Sequence, residues 1–481
     1  MYPEHKLIEL SSNIKSYLLE HFGEQYLEQF HDYINRSQET YIRLSQLRFS
    51  KSEVIDRLRN YGVELSPIDR LPDAFKVISG ESVVGKTLDF ILGAYYIQSL
   101  SSMLPALILS PTRNDKVLDL CAAPGSKTTQ LAEMMNNKGT LIANEISVDR
   151  LKSLVFNIDK MNLVNVGVLQ GKGELLSKSF GNYFDKILVD APCSALGIVQ
   201  KKSEVSKWWN EKKAEGLAEI QFKLLLSAIK SCKVGGEIVY STCTLSLEEN
   251  ELVLDKILKK YPVELVDINL PVNSVEAFTT YKNEQLNKTI SKARRILPWE
   301  INSEGFFIAK LKKVGELESD SKFIDKHKNE FLNSESTRIK KLLDILCDYY
   351  GVDRAHFSSY KFLIKSGDIY FVDNGLEISN PDLFVRVGSK FGLIDKNELI
   401  QLHTLAAQTF GAFFTKNVLE LSSISELETY LNGGTIKRDV GSTGQKIVKW
   451  NDLIIGTASS SKEGIKSQFP RAFRTQTILL K

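Results

Sequence analysis

The spacing of apolar positions changes several times along the chain, and each change marks an element. Leu7, Ile14, Leu18, Phe22, Leu27, Phe30 and Ile34 recur at helical spacing, with Gly23 as an interruption. From residue 41 to 77 short strand-like runs flank a helix near residues 51–61, enough for a small α+β module. Between residues 116 and 312 strands and helices alternate. Strands are predicted at 116–120, 140–145, 166–169, 186–190 and 237–241, with a closing strand at 306–310 and helices from 126 and over 148–161. Ser246-Leu-Glu-Glu249 reads as a capping box opening the helix after the fifth strand. Such alternation predicts a parallel, doubly wound, Rossmann-like sheet whose ligand crevice lies at the carboxyl ends of the strands.

Residues 314–330 are charged and poor in apolar side chains, so a linker is placed there. Beyond it, helices (336–349, 396–410) and strands (368–372, 446–449, 453–456) predict a separate α+β module. The expected division is 1–85, 86–313, 314–330 and 331–481. A chain of 481 residues with 43% apolar and 25% charged residues suits several globular domains. A net charge of +3 excludes a globally cationic binder but not a local basic surface. No apolar run reaches membrane-spanning length, and the first residues lack the apolar stretch of a signal peptide. Five cysteines (Cys121, Cys193, Cys232, Cys243 and Cys347), none spaced CxxC, argue against a disulfide framework or zinc site. A cytoplasmic protein without metal is therefore expected.

The first strand runs into Asp119-Leu-Cys-Ala-Ala-Pro-Gly-Ser-Lys-Thr128. Small residues there let a ligand approach the backbone, and the following helix offers free N–H groups. This loop carries neither GxxxxGK[ST] nor GxGxxG, so it is not a phosphate-cradling loop. Glu145, at the end of the second strand, can accept hydrogen bonds from both hydroxyls of a ribose. Together these features fit S-adenosylmethionine better than a dinucleotide. The fourth strand ends in Asp190-Ala-Pro-Cys-Ser194 and the fifth in Ser241-Thr-Cys-Thr244, which brings two cysteines to one crevice. No histidine occurs between His31 and His327, so a Cys-His hydrolase is excluded in this domain. A thiol beside a methyl donor points to pyrimidine C5: a thiolate adding to C6 makes C5 nucleophilic, with Asp190 as the acid near N3. From residue chemistry alone, either cysteine can be the attacking one.

These three motifs, with Ser241-Thr-Cys-Thr-Leu-Ser-Leu-Glu-Glu-Asn-Glu251 read in full, resemble the Sun-type RNA cytosine-5 methyltransferases. Within them the likeness is to bacterial enzymes of the small-subunit rRNA methyltransferase F type. Tyr95-Tyr-Ile-Gln98, Ser101-Ser-Met-Leu-Pro105 and Gly305-Phe-Phe-Ile-Ala-Lys310 match further family segments. The resemblance implies a class I methyltransferase domain between an N-terminal RNA-binding extension and a C-terminal PUA-like RNA-binding region. It implies Cys243 as nucleophile, Cys193 as the cysteine that aids product release, and Asp190 beside methyl donor and base. Cys121, Ala122, Ala123, Pro124, Gly125, Ser126 and Lys127 would line the cofactor, with Glu145 on the ribose and Arg150 in the matching helix. The expected substrate is RNA, with small-subunit rRNA favoured over tRNA or large-subunit rRNA, and the expected state is a monomer. Methylation of an exocyclic amine and a catalytically silent ribosome-assembly role are the competing readings.

Three departures from the family pattern stand out. Lys172 replaces an acidic residue that meets the adenine amine, Ala195 replaces a glycine, and Gln200-Lys-Lys-Ser203 lacks the family's proline. For RNA, Lys201, Lys202, Arg294 and Arg295 are expected to flank the crevice and hold phosphates. Arg43, Arg48, Lys51 and Arg57 supply charge in the N-terminal module. In the tail, Lys466-Ser-Gln-Phe-Pro-Arg-Ala-Phe-Arg474 interleaves aromatics with Lys466, Arg471 and Arg474, as an RNA-stacking surface would.

Overall fold

β1 (Lys116–Asp119), β2 (Thr140–Glu145), β3 (Val166–Gln170), β4 (Phe184–Asp190) and β5 (Cys232–Thr242) run parallel at the centre of the molecule, in the order β3-β2-β1-β4-β5. The computed structural model describes residues 7–318, 328–396, 398–474 and 477–480. Alternate residues of these strands enter two cores. Leu118, Ile142, Ile187, Val189 and Ile238 face one side, while Val117, Leu141, Val168, Leu188 and Val239 face the other. Apolar runs buried on both faces are what a parallel sheet covered by helices demands. Strand order reverses between β1 and β4, so the carboxyl ends of β1, β4 and β5 open onto one crevice.

The expected parallel sheet is a mixed one. β6 (Arg294–Ile296) and β7 (Phe306–Lys313) extend it antiparallel beyond β5. The connection over 297–305 is too short for the crossover that a parallel pair needs. The predicted helix at 396–410 shrinks to Thr404–Phe410, because Ile400–Leu402 pairs with Ser389–Ile394 instead.

The flanking segments are bound to the sheet more closely than the predicted boundaries imply. Tyr95–Ile97, beyond residue 85, pairs with Tyr41–Leu44 and completes the four-stranded N-terminal sheet. Helices Ser12–Phe22 and Glu24–Ile34 share a core with Leu196, Val199, Trp209, Leu245 and Leu247, on the loops after β4 and β5. Gly23 turns the chain between those helices at φ 86°. On the far edge, Arg386–Val387 pairs antiparallel with β3, so part of the C-terminal region belongs to the catalytic sheet. The rest of that region holds two five-stranded sheets. Of the expected linker, residues 319–327 lie outside the described residues. Among the described residues, no helix is long and apolar enough to cross a membrane.

Candidate active site

A cavity of about 160 Å³ sits at the carboxyl end of the sheet. Cys121, Ala122, Ala123, Pro124, Ser126 and Lys127 wall it on the β1 side, and Asp190 and Cys243 on the other. Ser102, Asp119, Ile198, Glu304 and Phe306, which are not among the site residues expected from the sequence, complete the lining. Gly125 stands behind this wall. It caps helix Ser126–Met134 at φ 111°, where an added Cβ would lie 3.1 Å from Leu154, so the close packing of loop on helix requires glycine. Glu145 and Arg150 flank the loop rather than line the cavity. The buried Glu145 carboxylate accepts from Ser147 N–H at 2.9 Å and lies 3.6 Å from the Arg150 guanidinium, which donates to the Ala123 carbonyl.

The cavity carries opposed charges. Lys127 Nζ lies 2.8 Å from Asp190 Oδ2 and donates to Ser102 Oγ at 2.9 Å. Burial alone would lower the Lys127 pKa, but the Asp190 carboxylate more than reverses it, so the ammonium stays charged. Ser241 Oγ donates to Asp190 Oδ1 at 2.8 Å. Asp190, expected from the sequence as the acid near N3, stands here in a lysine–carboxylate pair, which can meet developing charge with a donor and an acceptor together. Asp119 is 1% exposed, and burial pushes its carboxyl up to about 7. Its Oδ2 accepts from Thr128 Oγ1 at 2.7 Å, while Oδ1 has no partner among the described residues. An orphaned buried acceptor and a wall of small residues suit a ligand bearing a positive charge and polar hydrogens, as S-adenosylmethionine does.

The two cysteines of the strand ends meet. Cys193 Sγ lies 3.2 Å from Cys243 Sγ, and both are free thiols. Hydrogen bonding to Cys243 and burial hold the Cys193 thiol well above its usual range. Gly197 makes the approach possible. It donates from its N–H to the Cys243 carbonyl at 3.0 Å, and an added Cβ would come within 2.8 Å of that same oxygen. Ala195, in the family's glycine position, adopts φ 60°, a left-handed conformation costly for alanine.

Three consecutive residues fasten the Cys243 loop. The Glu249 carboxylate accepts from Ser194 N–H at 2.8 Å, from the Ser194 hydroxyl, from Ser246 Oγ at 2.8 Å and from Gln221 Nε2 at 2.8 Å. Asn250 accepts from Thr242 Oγ1 at 2.6 Å and donates to the Thr244 carbonyl at 3.1 Å. Glu251 takes a bidentate pair from Arg295, at 2.5 and 2.6 Å, while Arg295 Nη1 holds the Leu245 carbonyl at 2.9 Å. The capping-box reading of Ser246 and Glu249 is therefore corrected. The helix begins at Glu251, and Glu249 ties two loops together instead.

Several expected RNA contacts are corrected as well. Arg295 is 1% exposed, with its charge used by Glu251 and its face against Phe278 and Phe307, so it reaches no phosphate. Arg294 lies on the opposite face of β6, half-buried and 3.7 Å from Glu276. Arg43 is buried in contacts to Glu133 and Thr129 that dock the N-terminal sheet on helix Ser126–Met134. In the tail, Phe469 and Phe473 are core residues, and Arg474 turns back onto the Phe469 carbonyl. Lys201, Lys202, Lys466 and Arg471 are exposed, Lys201 at 2.7 Å from Glu304. Lys172 is exposed at the start of a short 3₁₀ turn, Gly173–Lys178. Among the described residues, His21, Glu211 and Glu248 offer atoms within 4.8 Å of one another. The two Glu248 oxygens already accept from Tyr17 and Tyr281, and Glu211 from Lys282.

Among the described residues, a mixed ten-stranded sheet with a small-residue loop after β1 and ligand chemistry at its strand ends defines a class I methyltransferase domain. Residues 106–312 match the family model described as 16S rRNA methyltransferase RsmB/F. A ribosomal RNA small subunit methyltransferase F of Shewanella piezotolerans is 30% identical over 92% of this chain and 93% of its own. A mouse 28S rRNA (cytosine-C(5))-methyltransferase is 38% identical over 56% of this chain, which spans about a third of its length (35%). A solved methyltransferase homologue from Pyrococcus horikoshii superposes with a TM-score of 0.56 at 29% identity, covering 62% of this chain and 94% of that one. The chain belongs to the RsmB/F family of 16S rRNA methyltransferases.

Proposed function

We propose that the protein methylates C5 of a cytosine in small-subunit ribosomal RNA, with Cys243 as the nucleophile and Cys193 as the cysteine of product release. The observation that carries this reading is the 3.2 Å thiol pair at the ends of β4 and β5, beside a cavity holding the Lys127–Asp190 pair. S-adenosylmethionine would supply an electrophilic methyl group, bound along Cys121–Lys127 with its ribose toward Glu145 and Arg150. Cys243 forms a bond to C6 of an unstacked cytosine. The electron pair displaced toward N3 is met by the Lys127–Asp190 pair, and C5 becomes nucleophilic enough to accept the methyl group. The C5 proton then passes to solvent, its electron pair re-forms the C5–C6 double bond as the C6–S bond breaks, and the departing Cys243 thiolate lies within proton-transfer distance of the Cys193 thiol. No metal is required at any step.

The relatives' names support ribosomal RNA as substrate, and the exposed Lys201, Lys202, Lys466 and Arg471 provide charge for its backbone. The N-terminal sheet and the C-terminal region are read as RNA-binding extensions of a monomeric, cytoplasmic enzyme. Substituting Cys243→Ala is expected to abolish transfer of a labelled methyl group to RNA while S-adenosylmethionine binding persists, as measured by calorimetry. Wild-type activity in that variant would sink the mechanism and favour methylation of an exocyclic amine, which needs no thiol.

A further inference from the structure

Both cysteines sit on loops, yet the two sulfurs are held at contact distance, and one buried side chain accounts for much of that. Glu249 is fully buried, with 0% exposure, and every partner it has is a donor. Two of those donors, the N–H and hydroxyl of Ser194, belong to the residue that follows Cys193. Ser246 belongs to the loop that follows Cys243. Gln221, on helix Glu211–Ser231, joins Glu249 to the Pro192 carbonyl at 2.9 Å, so both sides of Cys193 are fixed. Ser194 Oγ also lies 2.9 Å from Thr244 Oγ1 and accepts from Trp209 Nε1 at 2.8 Å. The carboxylate thus accepts from both the loop after β4 and the loop after β5. A neutral amide in its place would turn an NH₂ group toward donors, leaving hydrogen bonds unmade in a dry site.

We propose that Glu249 is a positioning residue for the release step: it fixes Cys193 against Cys243, and without it the covalent RNA adduct forms but is slow to break down. Glu249 does not line the cavity, so it acts through the turns it holds, the Ser194 turn beside Cys193 above all. After the larger effects of the hydrogen bond to Cys243 and of burial, its negative charge also favours the thiol form of Cys193, a proton source beside the leaving sulfur. The inference rests on the release role read for Cys193 under the proposed function.

The test compares wild type, Cys193→Ala, Glu249→Gln and Ser194→Ala on small-subunit rRNA from a strain lacking the enzyme. The readouts are single-turnover methyl transfer, the fraction of enzyme in a denaturation-resistant RNA adduct, and the melting temperature. Glu249→Gln is expected to hold about tenfold more adduct than wild type, as loss of charge-assisted hydrogen bonds to the turn implies, with methylated base inside it. Ser194→Ala keeps the backbone N–H and should shift the same balance less, which guards against a Gln variant that fails to fold. Wild-type adduct levels in folded Glu249→Gln and Ser194→Ala proteins, alongside adduct in Cys193→Ala, overturn the inference alone. Loss of methyl transfer without adduct in both variants also overturns it, since the role would then be general support. Absence of adduct in Cys193→Ala overturns the release reading itself, and the inference with it.

Discussion

The two halves of the crevice are built differently. The cofactor half is a main-chain structure: small residues after β1, a glycine at φ 111°, and a helix N-terminus at Ser126. The thiol half is a side-chain structure, in which Glu249 bolts the Cys243 loop to the loop after β4, Glu251 bolts it to Arg295 on β6, and Asn250 ties the loop to itself. A backbone cradle tolerates changes around it as long as its small residues remain. A bolted loop depends on each partner, because a buried charge that loses its counterpart has no water to turn to.

The comparison breaks most visibly at Arg295. Truncating it to alanine leaves Glu251 buried and unpaired, so a loss of about 3–5 kcal/mol is expected, read as earlier unfolding in urea. A melting profile like wild type would show that the thiol half does not depend on its ion pairs. On the cofactor half, the Arg150 side chain is about half exposed and bonds the Ala123 carbonyl and Glu145. Arg150→Ala should therefore weaken S-adenosylmethionine binding by about three- to tenfold with little change in stability, as expected for loss of one solvent-screened contact. A stability loss matching that of Arg295→Ala would erase the distinction between the halves. The smallest effect lies at Ala195, whose left-handed φ of 60° suits glycine better. Ala195→Gly is expected to stabilise the protein by about 0.5–1 kcal/mol in thermal unfolding; destabilisation would mean that the methyl group packs usefully.

The same contrast explains what was legible in the sequence. The cradle after β1 was readable because its requirement for small residues is local, and the strand-end position of Glu145 followed from strand alternation. The meeting of Cys193 and Cys243 followed from topology, since parallel strands deliver their carboxyl ends to one edge. The bolts were not legible as such. Ser246 and Glu249 have capping-box spacing, and only the position of Ser194 in space shows that the carboxylate serves another loop. Arg294 and Arg295 lie next to each other in a strand, so their side chains leave on opposite faces, and one of them had to turn inward. Phe469 and Phe473 read as a stacking surface because the sequence does not show that they close the C-terminal core and that Phe473 packs against Phe156. The pairing of Arg386–Val387 with β3 carries no sequence signal, for a two-residue strand has no period.

The central claim is that two adjacent thiols divide one reaction, Cys243 bonding the base and Cys193 releasing it. Mass analysis of nuclease-digested Cys193→Ala protein after incubation with S-adenosylmethionine and small-subunit rRNA tests this most directly. A 5-methylcytosine nucleotide attached at Cys243, and absent from the Cys193→Ala/Cys243→Ala double variant, is the predicted result. Attachment at any other residue, or turnover by Cys193→Ala at the wild-type rate with no adduct, would contradict it.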